Sequence, residues 1–147
     1  MRKSPASRNV PSGYSGTPLW QKLGLKAGLR VALADVPDDY WTLCGFDPVA
    51  VEIATSRGHV DFAHAFAQSR AQLAKQLGAF VKRLEATGTL WISWPKKSSG
   101  VTTDLSEDVL RELALPLGLV DVKVCAIDAV WSGLKLVWRR DRRDGKS

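Results

Sequence analysis

Hydrophobic positions in this chain change period from one segment to the next, and the changes divide it into elements. Leu29 to Val36 (LRVALADV) is almost unbroken apolar after Arg30, which predicts a strand buried on both faces, as in a parallel sheet. Val49 to Thr55 predicts a second strand. Val60 to Ala67 (VDFAHAFA) alternates strictly, with Val60, Phe62, His64 and Phe66 on one face and Asp61 and three alanines on the other, and predicts a third. From Ser69 to Thr87 the period becomes helical. Leu73, Leu77, Phe80, Val81 and Leu84 form one stripe, Ser69 with Gln72 reads as a capping box, and Gly88 lies beyond the end. Thr89 to Trp94 is the fourth strand. After the loop Pro95 to Thr103, Asp104 with Glu107 forms a second capping box, opening an amphipathic helix that must stop before Pro116. Leu119 to Ala126 and Leu134 to Arg139 are the last strands, with Trp131, Ser132 and Gly133 in a turn between them. So short a connection predicts that they pair antiparallel. Ahead of the first strand, Thr17 and Pro18 start a short helix that carries Leu19, Trp20 and Leu23 and stops at Gly24.

This order predicts an α/β domain over residues 13–140, with a mostly parallel sheet ending in an antiparallel pair. The Ser-, Pro- and Arg-rich residues 1–12 read as a flexible arm and residues 141–147 as a basic tail. At 147 residues and 45% hydrophobic, the chain can bury a core without disulfides. Cys44 and Cys125 share no metal-ligand spacing with each other or with His59 and His64, so they read as buried thiols, and no metal site is expected. No apolar stretch reaches the roughly 18 residues of a membrane helix, and MRKSPASRN lacks the apolar region of a signal peptide, so a cytoplasmic protein is expected.

The net charge of +6 suggests nucleic acid until it is located. Residues 1–34 hold six basic side chains and no acid, and residues 139–147 hold five basic and two acidic, so the body between them is mildly acidic. Basic ends are more often solubilising than specific, and nucleic acid is the weaker expectation for a partner.

Candidate chemistry gathers where strands hand over to loops. A dinucleotide-binding turn after the first strand needs glycines so that backbone can approach the phosphates. This chain supplies Asp35-Val36-Pro37-Asp38-Asp39-Tyr40-Trp41 instead, and its carboxylates would repel a pyrophosphate. No cofactor is therefore expected. Ser15 in GYSG lacks the nucleophile-elbow spacing, and Asp61 and His64 fall on opposite strand faces, so no catalytic set is assigned. The loop after the fourth strand holds Lys96, Lys97, Ser99 and Gly100, which could take an anion against the next helix start, although the order is wrong for a P-loop. Asp35, Asp38 and Trp41 after the first strand, with Trp94, Lys96, Lys97, Ser99 and Gly100 after the fourth, are the candidate ligand-binding residues. Opposite charges on the two loops could clamp a zwitterion, or form surface ion pairs worth less than about 1 kcal/mol each.

The element order, with VDFAHAF like the strand that follows the adenine-binding region and LEATGTLWISWP like the entry to the next strand, resembles the three-layer Rossmann-like sandwich of S-adenosylmethionine (SAM) methyltransferases, with one crossover reduced and the glycine-rich loop replaced. A second likeness covers more of the sequence. GYSGTPLWQKLGLKAG, WPKKSSGVTTDL, LALPLGLVDVKVCAID and WSGLKLV together resemble domain-of-unknown-function family three thousand fifty-two, a family of uncharacterised bacterial proteins that brings no established catalytic residues. These resemblances imply a methyltransferase-like module that binds a protein or small-molecule ligand at the carboxyl edge of its sheet without catalysis. An unusual small-molecule enzyme is the alternative, nucleic-acid binding through the basic ends a second one, and self-association stays open.

Overall fold

A computed structural model describes residues 16–55 and 57–145, with side chains as far as Arg142. The expected arm at residues 1–12 and Ser15 lie outside these residues. Six strands form one mixed sheet in the order β2-β1-β3-β4-β6-β5, where β1 is Arg30–Ala34, β2 Glu52–Ile53, β3 Val60–Phe66, β4 Leu84–Pro95, β5 Leu119–Ala126 and β6 Trp131–Trp138. The first four are parallel to one another, and β6 and β5 close the sheet antiparallel. Helices α1 (Leu19–Leu23) and α2 (Tyr40–Cys44) cover one face; α3 (Arg70–Phe80) and α4 (Glu107–Ala114) cover the other. A final short helix, α5, runs from Arg140 to Gly145, where the charge pattern alone suggests a tail. No described helix is long and apolar enough to cross a membrane.

The two faces of β3 explain the two cores. Ala63 and Ala65, with Ala67 just beyond the strand, are small enough to let Leu73, Leu77 and Phe80 of α3 seat on the sheet. Phe62 and Phe66 fill the opposite core with Leu23, Tyr40 and Trp91. Val60 departs from the expected alternation and joins the alanine face, because the β3–β4 register shifts between Val60 and Phe62.

Other boundaries differ for physical reasons. The second strand is two residues long. Asp47 accepts a hydrogen bond from the Val49 amide and, with Pro48, turns Pro48–Ala50 into a 3-10 helix that leaves Val49 exposed. Helix α3 ends at Phe80, not Thr87. Leu84 pairs with Val60 instead, and its carbonyl accepts the Trp138 indole N–H at 3.2 Å, so tertiary pairing takes a residue that also fits the helical stripe. Helix α4 is capped by Ser106, whose hydroxyl accepts from the Val109 amide, while Asp104 accepts from the Arg70 amide at 2.9 Å. Trp131 to Gly133 are strand residues. The turn falls earlier, where Asp128 accepts from the amides of Val130 and Trp131. Glycine at 133 leaves room for Ile127 and the Trp91 ring, which a Cβ there would crowd.

The reduced crossover lies between β2 and β3, which flank β1. A few residues replace the usual helix. Two guanidiniums hold them. Arg83 donates to the carbonyls of Thr55, Arg57 and Gly58 at 2.6, 3.0 and 2.8 Å, and Arg30 donates to those of Arg57 and His59 at 3.2 and 2.7 Å.

Candidate functional site

In a sheet of this kind, ligands sit beyond the carboxyl ends of the strands, where the chain changes its direction of winding. Here that point lies between β1 and β3, since β2 is laid on one side of β1 and β3 on the other. Asp35 occupies it. It is the one described non-glycine residue with positive φ, 57°, so the chain makes the left-handed turn after β1 without the expected glycine. Its carboxylate is already engaged. Gln76 Nε2 donates to Asp35 Oδ2 at 2.8 Å and to the Phe66 carbonyl at 2.9 Å, and Gln72 Nε2 donates to the same carboxylate oxygen at 3.2 Å. The side chains of α3 thus tie the loop after β1 to the end of β3. Gln76 is buried and its Oε1 has no hydrogen-bond partner. Asp38 is exposed, and Trp41 is half-buried against Tyr40 and Phe46.

On the opposite face a chain of buried polar side chains links three elements. The Tyr40 hydroxyl lies 2.8 Å from His64 Nδ1, and His64 Nε2 lies 2.7 Å from Ser93 Oγ. Cys44 follows Tyr40 by one helical turn, beside the same hydroxyl. A neutral imidazole donates from one nitrogen and accepts at the other, so both of its groups are satisfied. Burial pushes His64 down to about 3 and the Cys44 thiol up to about 12, and it holds the Tyr40 phenol well above its ordinary range. No member of this chain ionises near neutrality, and His64 is a hydrogen-bonded core histidine. Tyr40→Phe leaves one His64 nitrogen unpartnered and should cost about 1–3 kcal/mol. A lower urea midpoint at constant m-value would report that loss, whereas an unmoved midpoint would mean that the bond contributes nothing.

An open groove of about 400 Å³ lies after β4, lined by Trp94, Pro95, Lys96 and Lys97 on one side, by residues 105–108 and Arg111 on the other, and by Ser132. Trp94 and Leu105 are mostly buried and form its apolar base. Arg111 is saturated: it meets Glu107 at 2.7 Å, Asp108 at 3.3 Å and Asp121 at 2.9 Å, and these carboxylates hold its guanidinium above the ordinary range. Among the described residues no carboxylate lies within ion-pair distance of Lys96 or Lys97, so these two ammonium groups are the groove cations that no ion pair holds.

The structure therefore brings Trp94, Lys96 and Lys97 together and separates them from Asp35, Asp38 and Trp41, because β3 lies between β1 and β4. Ser99 and Gly100 shape the loop instead. The Ser99 hydroxyl donates to the Lys96 carbonyl at 2.6 Å and accepts from the Val101 amide, and Gly100 takes φ 79° at the end of a 3-10 turn. Sequence reasoning missed Arg111 and Ser132 as groove residues and Gln72 and Gln76 as partners of Asp35. Gln72 carried a signal, through its place in the capping box at Ser69; its amide oxygen accepts from the Gln68 amide. Among the described residues no group of three His, Cys, Asp or Glu side chains could hold a metal ion.

Solved structures that align with this chain include SAM-dependent methyltransferases and a protein in complex with SAM. A TehB-like SAM-dependent methyltransferase from Corynebacterium glutamicum ATCC 13032 Kitasato aligns with a TM-score of 0.54 at 12% identity, over 82% of this chain and 85% of its own. The fold is that of the SAM-dependent methyltransferases. Magnesium protoporphyrin IX methyltransferase (ChlM) from Synechocystis PCC 6803, with bound SAM, aligns at a TM-score of 0.55 and 11% identity, over 82% of this chain and 74% of its own. LepI in complex with SAM aligns at a TM-score of 0.52 and 15% identity, and there the present chain spans only 39% of the other protein. No family model and no curated protein matches the sequence, and the likeness to domain-of-unknown-function family three thousand fifty-two is not confirmed.

Proposed function

We propose that this methyltransferase-like domain is a non-catalytic binding module whose ligand is a small molecule with an anionic group, held in the groove after β4 and not at the end of β1. One observation carries this reading: the Asp35 carboxylate sits at the crossover point of the sheet and is tied to Gln72 and Gln76. A ligand entering there would have to compete with the Gln72 and Gln76 hydrogen bonds and approach a carboxylate, whereas the groove offers Lys96 and Lys97 outside any ion pair over an apolar base.

The test is thermal stability against a panel of carboxylates, free amino acids and phosphates. A ligand at ~100 times its dissociation constant should add about 2.7 kcal/mol. Lys97 is exposed, so Lys97→Ala should leave the melting temperature of the free protein unchanged and abolish the shift. A shift that survives the substitution would remove the groove from the account.

A second reading, a SAM-dependent enzyme, is favoured by the left-handed backbone at Asp35 and by the unpartnered buried Oε1 of Gln76, which together keep a turn and a free acceptor at the crossover point.

A further inference from the structure

We propose that the opposite edge of the sheet, at the amino ends of β1, β3 and β4, binds the phosphate backbone of nucleic acid through Arg57, Lys82, Arg83, Arg140 and Arg142. The sequence puts these residues in three separate places: the short crossover, the turn between α3 and β4, and the start of α5. Topology brings them to one edge. Val60 pairs with Leu84, the Leu84 carbonyl accepts from the Trp138 indole, and Trp138 pairs with Leu119, so the turns and α5 follow one another along the strand ends. From β1 to β5 the edge crosses five strands, roughly 19 Å at ~4.8 Å per strand. That length covers several phosphates of a duplex strand, at about 3.4 Å each.

What distinguishes this edge is how its arginines are held. At the carboxyl edge, Arg70 and Arg111 are paired with Glu112, Glu107, Asp108 and Asp121, and their charges are cancelled. Here two of the guanidiniums, those of Arg83 and Arg142, are held by neutral carbonyls. Arg83 donates to the carbonyls of residues 55, 57 and 58, and Arg142 donates to the Leu117 carbonyl at 3.0 Å while lying 5.5 Å from the Trp138 ring. Such contacts fix a side chain without neutralising it. Among the described side chains none of the five cations has a carboxylate within ion-pair distance, and the nearby acids Glu52, Glu85 and Asp141 face Arg30, His59 and Arg139 instead. A row of cations outside any ion pair, two of them fixed by neutral carbonyls, suits phosphate oxygens. This placement supplies the element that the charge count alone lacked, since the basic residues of the chain's end join those of two internal turns on one surface.

The experiment is fluorescence anisotropy of the full chain with a labelled mixed-sequence duplex across a sodium chloride series. With four or five phosphates neutralised, log K against log salt should fall with a slope of about −4, at roughly 0.9 per phosphate. Lys82→Glu together with Arg140→Glu, both exposed and both far from the groove, should weaken binding at least ~10-fold at low salt and flatten the slope by about 2. Arg57→Gln serves as a milder second variant, expected to flatten it by about 1. No binding at ~50 mM salt, where such contacts are strongest, would overturn the proposal. So would an unchanged slope in the double variant, which would assign the binding elsewhere. Competition by polyglutamate equal to that by unlabelled duplex would also overturn it, in favour of an acidic protein partner.

Discussion

Acidification should cost this protein stability on the order of 3 kcal/mol between neutral pH and pH 4, through His64 alone. The imidazole is fully buried, and burial lowers its folded value to about 3 from the ordinary 6.5. Above 6.5 the ring is neutral in both folded and unfolded chains and the full stability is present. Below it the unfolded chain takes up a proton that the folded chain refuses, so stability falls with pH until about 3, where the folded ring also protonates. The charges that could oppose this are distant: the ring meets Tyr40, Ser93 and the aromatic residues Phe62, Phe66 and Trp91, none of them ionised near neutrality. Urea midpoints measured from pH 7 to pH 4 should show the loss, and His64→Phe should flatten the curve at the expense of stability at pH 7. Parallel curves for the two proteins would contradict the burial argument.

Trp91→Ala should be the most damaging single substitution in the sheet, at about 3–5 kcal/mol. The side chain is wholly buried, and its indole N–H donates to the Leu23 carbonyl at 2.8 Å, joining β4 to the end of α1. Alanine would open a cavity between those elements and orphan the carbonyl. Trp91→Phe separates the two contributions: it keeps much of the volume and should lose about 1–3 kcal/mol, mainly the hydrogen bond and the groups it leaves unpaired. Equal midpoints for the alanine variant and the wild type would mean that α1 is not seated as described.

Much of this architecture was legible because local and tertiary preferences agree. The strand Leu119–Ala126 is read to the residue, since Gly118 and the following polar turn bound a run that no helix period fits. The antiparallel pairing of the last strands follows from loop length alone. Where the two levels compete, the sequence misleads. Val81 and Leu84 fit the stripe of α3, but Leu84 has a better partner in Val60, and Trp131 to Gly133 look like a turn until Gly133 is seen making room for the Trp91 ring. The candidate site divides the same way. Trp94, Lys96 and Lys97 were readable from strand, loop and helix in succession. The bonds from Gln72 and Gln76 to Asp35 span 37 and 41 residues, so nothing in the local pattern announces them.

The most direct test of the account is calorimetric titration of the full chain with SAM and with S-adenosylhomocysteine. The bonded carboxylate at Asp35 predicts no saturable heat with either compound at millimolar concentration, for the wild type and for Lys97→Ala alike. Saturable binding of either compound, lost on Asp35→Ala or Gln76→Ala, would contradict the central claim and make the carboxyl edge of β1 a working cofactor site.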